Sequence, residues 1–178
     1  MNLISQVKKT YYDLPLNLRR FLVRASILFI AWELLYNLLL KPIGIPDDQL
    51  THFVVIYTYK LLTLFYSNVT YSGASIYMSG KLAIIIAPAC NALELLVLYV
   101  GFLLCIPTTP KRFWLFTIGG LALVVVLNIL RCAALAVLFY NNHPIADFAH
   151  HYLFKIFIYG VIFYLWILYS KKYMQNAA

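Results

Sequence analysis

The sequence predicts an all-α integral membrane protein with about four full transmembrane helices and one interfacial or half-inserted helical segment. Of the 178 residues, 63% are hydrophobic and only 11% are charged, whereas soluble domains are about 45–50% apolar. The apolar residues form runs of about 20, the length that a helix needs to cross the ~30 Å hydrocarbon layer. Residues 1–178 are therefore predicted to form a single membrane domain.

Four long apolar runs, each bounded by polar, charged or proline residues, are the predicted spans. They are residues 21–40, 89–106, 113–140 and 152–170. Residues 51–66 are also apolar, but a helix of this length reaches only about 24 Å and would carry Lys60, so an interfacial or half-inserted helix is expected. Residues 67–81 are rich in Ser, Gly, Tyr and Asn and are predicted to form an extended loop.

The basic residues predict the orientation. The net charge of +8 arises from Lys and Arg clustered at the ends of apolar runs, a distribution typical of membrane topology signals, so no nucleic-acid role is predicted. Residues 1–20 mix apolar and basic positions and are expected to form an amphipathic segment at the cytoplasmic lipid surface. The turn at Lys111 and the tail at Lys171 are likewise expected inside. Both termini are therefore predicted to be cytoplasmic.

Three potentially reactive positions come together under this topology. Cys90 is predicted to be the second residue of an inward-running span, and Arg131 lies about 27 Å along the next, outward-running span. His150 and His151 precede the last span. All of these residues are therefore expected near the outer face of the membrane, at one site contributed by three segments.

The residue types at this site suit nucleophilic catalysis. A cysteine needs a nearby base or cation to ionise, and an arginine can also stabilise an oxyanion. Arg131 within an apolar span needs a partner. Candidates are Glu94, one turn after Cys90, and Asn128, three residues before Arg131. A different reading remains open, in which an Arg131–Glu94 ion pair only fixes helix packing and Cys90 is a small apolar residue.

The sequence predicts neither a metal site nor a cofactor. It contains no CxxC or HExxH spacing, and the histidines and cysteines are scattered over several segments. The three cysteines, Cys90, Cys105 and Cys132, are too few and too apolar in context for a disulfide framework.

Around these residues the sequence resembles the exosortase/archaeosortase family of membrane-embedded cysteine transpeptidases. Three blocks within residues 80–170, the expected catalytic core, carry the resemblance: IIIAPACNALELL, LNILRCAAL and FAHHYLFKIFIYG. The resemblance implies that Cys90, Arg131 and His150 are catalytic, with His151 as the alternative register for the histidine. The chain is shorter than the larger members and resembles a compact core version.

Two positions depart from the commoner family pattern. Ala92 stands two residues after the cysteine, where the family often has glycine. Phe154 stands where a small residue commonly follows the histidine, which leaves the choice between His150 and His151 open.

The resemblance also implies the activity, the location and the partners. It implies an enzyme of the prokaryotic cytoplasmic (inner) membrane that cleaves a carboxy-terminal sorting signal, made of a short motif, a transmembrane helix and a basic tail, from exported proteins. The products would be transferred to an unidentified surface acceptor. The alternative is a non-enzymatic transporter or envelope-assembly partner, in which Glu33, Glu94 and Arg131 form a polar path.

Overall fold

The computed structural model of the chain describes residues 14–175. Within these residues a bundle of helices packs against one small antiparallel sheet. The helices are α1 (Leu16–Leu35), α2 (Asp47–Thr63), α3 (Leu93–Cys105), α4 (Pro110–Tyr140) and α5 (Phe154–Gln175). The strands are β1 (Val69–Ser72), β2 (Ser75–Met78) and β3 (Lys81–Ile85). Shorter turns are π-helical (Tyr36–Leu40, Ala149–Leu153), α-helical (Lys41–Ile43, Ala146–Phe148) or 3₁₀-helical (Pro88–Cys90).

Three helical segments in the described part of the chain are long and apolar enough to cross a membrane. They are Leu16–Ile43, Pro110–Tyr140 and Ala146–Lys171. The prediction of a mostly helical integral membrane protein is therefore confirmed. α3 has 13 residues and is about 20 Å long, short of the ~30 Å hydrocarbon layer. The predicted span at 89–106 is thus too long, and the count of four full spans is not confirmed.

The first helix starts earlier than predicted. Residues 1–13 of the predicted amphipathic segment lie outside the described residues, and its end already belongs to α1. The helical path continues to Ile43 and stops at Gly44, which has the left-handed conformation typical of helix ends (φ 74°). No side chain of α1 is buried, so this helix lies at the periphery of the bundle.

The sheet corrects the all-α prediction and the loop predicted at 67–81. Its strand order is β1-β2-β3, with both pairs antiparallel. Ser79 and Gly80 between β2 and β3 both have positive φ (49° and 77°), as the two-residue turns of tight hairpins require. Ile76 and Met78 alternate with less buried residues and lie in the core. The sheet forms because this alternation gives β2 one apolar face to pack on the helices.

The buried side chains form two clusters, and α4 contributes to both. One cluster joins α2, the sheet and the part of α4 that contains Cys132, Ala133 and Ala136. The other joins α3, α5 and the part of α4 around Val124. The small side chains of Cys132, Ala133 and Ala136 let the sheet approach α4 closely, so β3 packs against this helix.

Candidate active site

Cys90 lies on a turn between the sheet and α3. The chain leaves β3, passes the fully buried Ile86 and forms the 3₁₀ turn that ends at Cys90. The prediction that Cys90 is the second residue of a continuous helix is wrong, because Ala92 has a left-handed conformation (φ 74°) and α3 begins only at Leu93. Glycine adopts this conformation without strain, which gives a physical reason for glycine at this place in the family pattern. Cys90 itself is half-buried.

Arg131 faces Cys90 from α4. Its Nη2 lies 3.9 Å from the sulfur of Cys90, and its Nη1 lies 3.5 Å from Oδ1 of Asn128. Asn128 in turn donates a 2.8 Å hydrogen bond to the backbone carbonyl of Cys90. Asn128 and Arg131 can act together because residues three apart share a helix face.

The guanidinium of Arg131 is buried but incompletely paired. Only 6% of the residue is exposed, and its Nε has no hydrogen-bond partner within the described residues. A buried charged donor without a partner is costly, so such groups are commonly found where a ligand completes the set. Arg131 therefore has one buried donor without a partner, Nε, and directs a different donor, Nη2, at the sulfur of Cys90.

His150 and Cys90 line the same pocket, which has a volume of about 360 Å³. His150 belongs to a π-helical turn, a distortion that is frequent at functional sites, and it packs edge-on against Phe139 at 6.3 Å between ring centroids. His151 instead directs Nδ1 toward the backbone carbonyl of Asp147 at 2.9 Å and does not line this pocket.

A family comparison covers all of these elements. The sequence profile of the transmembrane exosortase family matches residues 18–169. The chain belongs to the transmembrane exosortase family. The resemblance seen in three sequence blocks is thereby confirmed, and the match extends beyond residues 80–170 to include α1, α2 and the sheet. Exosortases are membrane cysteine peptidases and transpeptidases that act on exported proteins with carboxy-terminal sorting signals. No curated protein and no solved structure matches the chain significantly.

In this exosortase Glu94 is not the partner of Arg131. Within the described residues the two side chains form no ion pair, and Glu94 is exposed on α3. The left-handed turn at Ala92 is the physical reason, because it separates Cys90 from the helix on which Glu94 lies. Glu94 instead lines a separate groove of about 1050 Å³ between α1 and α3, together with Glu33.

Two further residues that the sequence analysis did not single out hold the turn that carries Cys90 in this exosortase. Asn91 is fully buried, accepts a 2.8 Å hydrogen bond from the backbone N–H of Leu93 and donates a 2.7 Å hydrogen bond to Oδ1 of Asp47. Asp47 is also buried, and its other oxygen accepts a 2.8 Å hydrogen bond from the hydroxyl of Tyr36. This Asp47–Asn91 clamp connects the first helical segment, α2 and the turn that carries Cys90.

Local sequence signals could have revealed only half of this clamp. An asparagine just before an apolar helical run is a helix-start signal, and Asn91 fits it. Asp47 lies in a polar loop whose sequence is typical of solvent exposure, and its burial depends on contacts with residues 44 positions away.

Proposed function

We propose that this exosortase is a cysteine transpeptidase that cleaves the carboxy-terminal sorting signal of exported proteins at the outer face of the prokaryotic cytoplasmic membrane. We further propose that both termini are cytoplasmic and that an acceptor at the cell surface receives the cleaved protein. The observation that carries this proposal is the incompletely paired guanidinium of Arg131, which lies 3.9 Å from the sulfur of Cys90.

The arrangement suggests a role for each residue in the acylation step. His150 takes the thiol proton, and the Cys90 sulfur attacks the carbonyl carbon of the scissile peptide bond. Negative charge develops on the carbonyl oxygen, where the free donors of Arg131 can stabilise it. The peptide C–N bond then breaks, and the leaving amine takes the proton from His150. The amino-terminal part of the substrate remains on Cys90 as a thioester.

The second step regenerates the enzyme. A nucleophilic group of the acceptor loses its proton to His150 and attacks the thioester carbonyl. The C–S bond breaks and the sulfur of Cys90 regains the proton. Asn128 supports both steps because its hydrogen bond to the carbonyl of Cys90 holds the turn on α4.

The non-enzymatic alternative, a transporter or envelope-assembly partner, depended on a contact between Arg131 and Glu94 that the described structure does not contain. A polar path through Arg131 and Glu94 requires the two residues to meet, but Glu94 lines a groove that does not include Arg131, and the contacts of Arg131 are to Asn128 and Cys90. Glu33 and Glu94 share a groove that contains neither Cys90 nor His150.

Substitutions at Cys90 and Arg131 test the proposal. Cys90→Ala is expected to abolish processing of exported proteins, while the variant still accumulates in the membrane. Arg131→Lys keeps the charge but loses the planar set of donors, so we expect processing to fall by about 10²- to 10³-fold. The measurement is the ratio of cleaved to uncleaved substrate proteins in membrane fractions.

Cys105→Ala is the matched control. Cys105 is also buried but lies at the far end of α3, so processing is expected to stay near the wild-type value. Equal loss from Cys90→Ala and Cys105→Ala would indicate a folding defect and would contradict a nucleophilic role for Cys90.

A further inference from the structure

The strand that leads to Cys90 has a free edge. β3 is the last strand of the sheet, and it pairs only with β2 within the described residues. Four consecutive residues of β3, from Leu82 to Ile85, line the pocket that also contains Cys90 and His150. Successive side chains of a strand point to opposite faces. The β2–β3 pairing also shifts register between Ile76 and Tyr77. A pocket lined by four consecutive residues, which include the buried Ala83 and the exposed Ile85, is consistent with a pocket that runs along the edge of the strand.

The hydrogen-bond register shows which backbone groups face outward. The N–H of Ile86 donates to the carbonyl of Ala74 at 2.9 Å, toward the β2 side of the sheet. Ile84, two residues earlier, pairs with Ile76 on the same side. In an antiparallel pair the intervening residue directs its N–H and C=O away from the partner strand. The backbone groups of Ile85 therefore point toward the open edge.

We propose that the segment of the exported protein around the scissile bond binds as an additional strand on the open edge of β3, with its carbonyl presented to Cys90. This inference rests on the proposed function. Extended peptides commonly dock on exposed strand edges, where main-chain hydrogen bonds supply the affinity and side-chain pockets the specificity. Cys90 and β3 line the same pocket, so a peptide paired with β3 would lie close to the sulfur.

The surroundings of the edge favour an extended apolar peptide as its occupant. Leu82 and Ile85 are about half exposed, at 51% and 55%, and Phe139 forms part of the opposite wall. The volume of about 360 Å³ lies within the range of pockets that hold small ligands or short peptide segments. Nη2 of Arg131 lies 3.9 Å from the sulfur of Cys90, and it is the donor that we assign to a reacting carbonyl.

The test compares two electrophiles that alkylate Cys90 in the purified full-length protein. One is acetyl-tetraalanyl chloromethyl ketone, which can pair with a strand, and the other is chloroacetone, which cannot. In both reactions the sulfur of Cys90 displaces chloride and forms a thioether. We expect the peptide to react at least about ten times faster than chloroacetone, with Cys90→Ala as the blank and mass spectrometry as the readout. No advantage for the peptide in the wild-type protein would overturn the proposal.

Ile85→Pro removes the outward N–H, and the edge of a sheet is where proline is tolerated. We expect it to reduce the peptide rate about 3- to 10-fold, the effect of one main-chain hydrogen bond, and to change the chloroacetone rate less than about twofold. Ile85→Val keeps the N–H and should retain the peptide advantage. If Ile85→Pro does not fold, an N-methylated peptide tested on the wild-type protein gives the same comparison. Equal rates for methylated and unmethylated peptides would contradict strand pairing.

The outcome is separable from that of the proposed function. Alkylation needs no endogenous substrate, so it reports on the strand edge even if processing does not depend on Cys90. A wild-type protein that processes substrates through Cys90 but shows no preference for the peptide would disprove the docking mode alone. Disulfide-linked dimers of a Leu82→Cys variant, together with no preference for the peptide, would show that a second copy occupies the edge.

Discussion

The burial of the charged Arg131 side chain is unfavourable for stability, and its position beside Cys90 suggests a functional reason for it. A charged side chain in an apolar span costs up to about 2.5–3.5 kcal/mol at mid-bilayer on insertion scales and less near the interface. Within the described residues Arg131 makes only two long contacts, to Asn128 and Cys90. A purely structural arginine would be expected to have a carboxylate partner. The candidate, Glu94, lines the groove between α1 and α3 and not the surroundings of Arg131. The incomplete pairing therefore supports a role toward substrate.

The Asp47–Asn91 clamp can be tested by single-residue substitutions. Asp47 accepts hydrogen bonds from Asn91 and Tyr36 on its two oxygens, whereas Asp47→Asn leaves only one oxygen, so one of these donors loses its acceptor. We therefore expect a loss of about 1–3 kcal/mol of stability and a fall in kcat. The exchanged pair, Asp47→Asn with Asn91→Asp, restores a donor opposite an acceptor and is expected to recover most of the processing rate. Asp48→Asn, an exposed neighbour, is the control and should be silent.

The readout of the clamp experiment separates positioning from folding. Membrane abundance reports stability. The rate of Cys90 alkylation by chloroacetone reports whether the turn that carries Cys90 keeps its position. An exchanged pair that is abundant but still inactive would show that the charge of Asp47 is needed at its own position, which would exclude a simple clamp.

The catalytic candidates could be predicted from the sequence because their chemistry is rare in apolar segments. An arginine, a cysteine and a histidine pair near helix ends are visible without a structure. The choice between His150 and His151 was not accessible, since it depends on which face the π-helical turn presents to the pocket. Asp47 was also missed, because its burial arises from contacts between segments far apart in the chain.

At the scale of elements, α3 and α4 approach each other at one glycine. The hydroxyl of Tyr99 on α3 donates to the carbonyl of Phe116 at 2.8 Å, and a Cβ at Gly120 would collide with the ring of Tyr99. Gly119, the preceding residue, has open space around it. Alanine substitutions at these two neighbouring glycines therefore form a matched test and control.

We expect Gly120→Ala to destabilise the protein by about 1–3 kcal/mol through overpacking. Gly119→Ala should be neutral or stabilising by up to about 1 kcal/mol, because alanine favours a helix. Thermal unfolding in detergent measures both variants. Equal melting temperatures would contradict the close packing of α3 on α4.

Long apolar helices were predictable, whereas the sheet and the start of α3 were not. Hydropathy detects α1, α4 and α5 because each is apolar over many turns. The strands have only four or five residues each, and β1 and β2 fall in the stretch rich in Ser, Gly and Tyr that is typical of a loop. The start of α3 depends on the left-handed backbone conformation of Ala92, which cannot be predicted from the presence of an alanine.

At the scale of the whole molecule, the orientation of the protein in the membrane determines whether the site is at the outer or the cytoplasmic face. The loop at Thr109 and the hairpin turn near Ser72 lie at opposite ends of the proposed topology, and both residues are exposed. A membrane-impermeant maleimide applied to intact cells is expected to label Ser72→Cys and not Thr109→Cys, in a background without Cys90. Labelling of Thr109→Cys alone would place the site on the cytoplasmic face and would contradict the proposed topology.

The most direct test of the central claim is the covalent intermediate on Cys90. Membranes that contain the protein and its natural substrates can be quenched in acid and digested, and the peptide that carries Cys90 can be analysed by mass spectrometry. We expect a thioester between Cys90 and the new carboxyl end of an exported protein, released by neutral hydroxylamine and enriched when the acceptor is depleted. Unmodified Cys90 during continuing substrate cleavage, or an acyl group on another residue, would contradict the account.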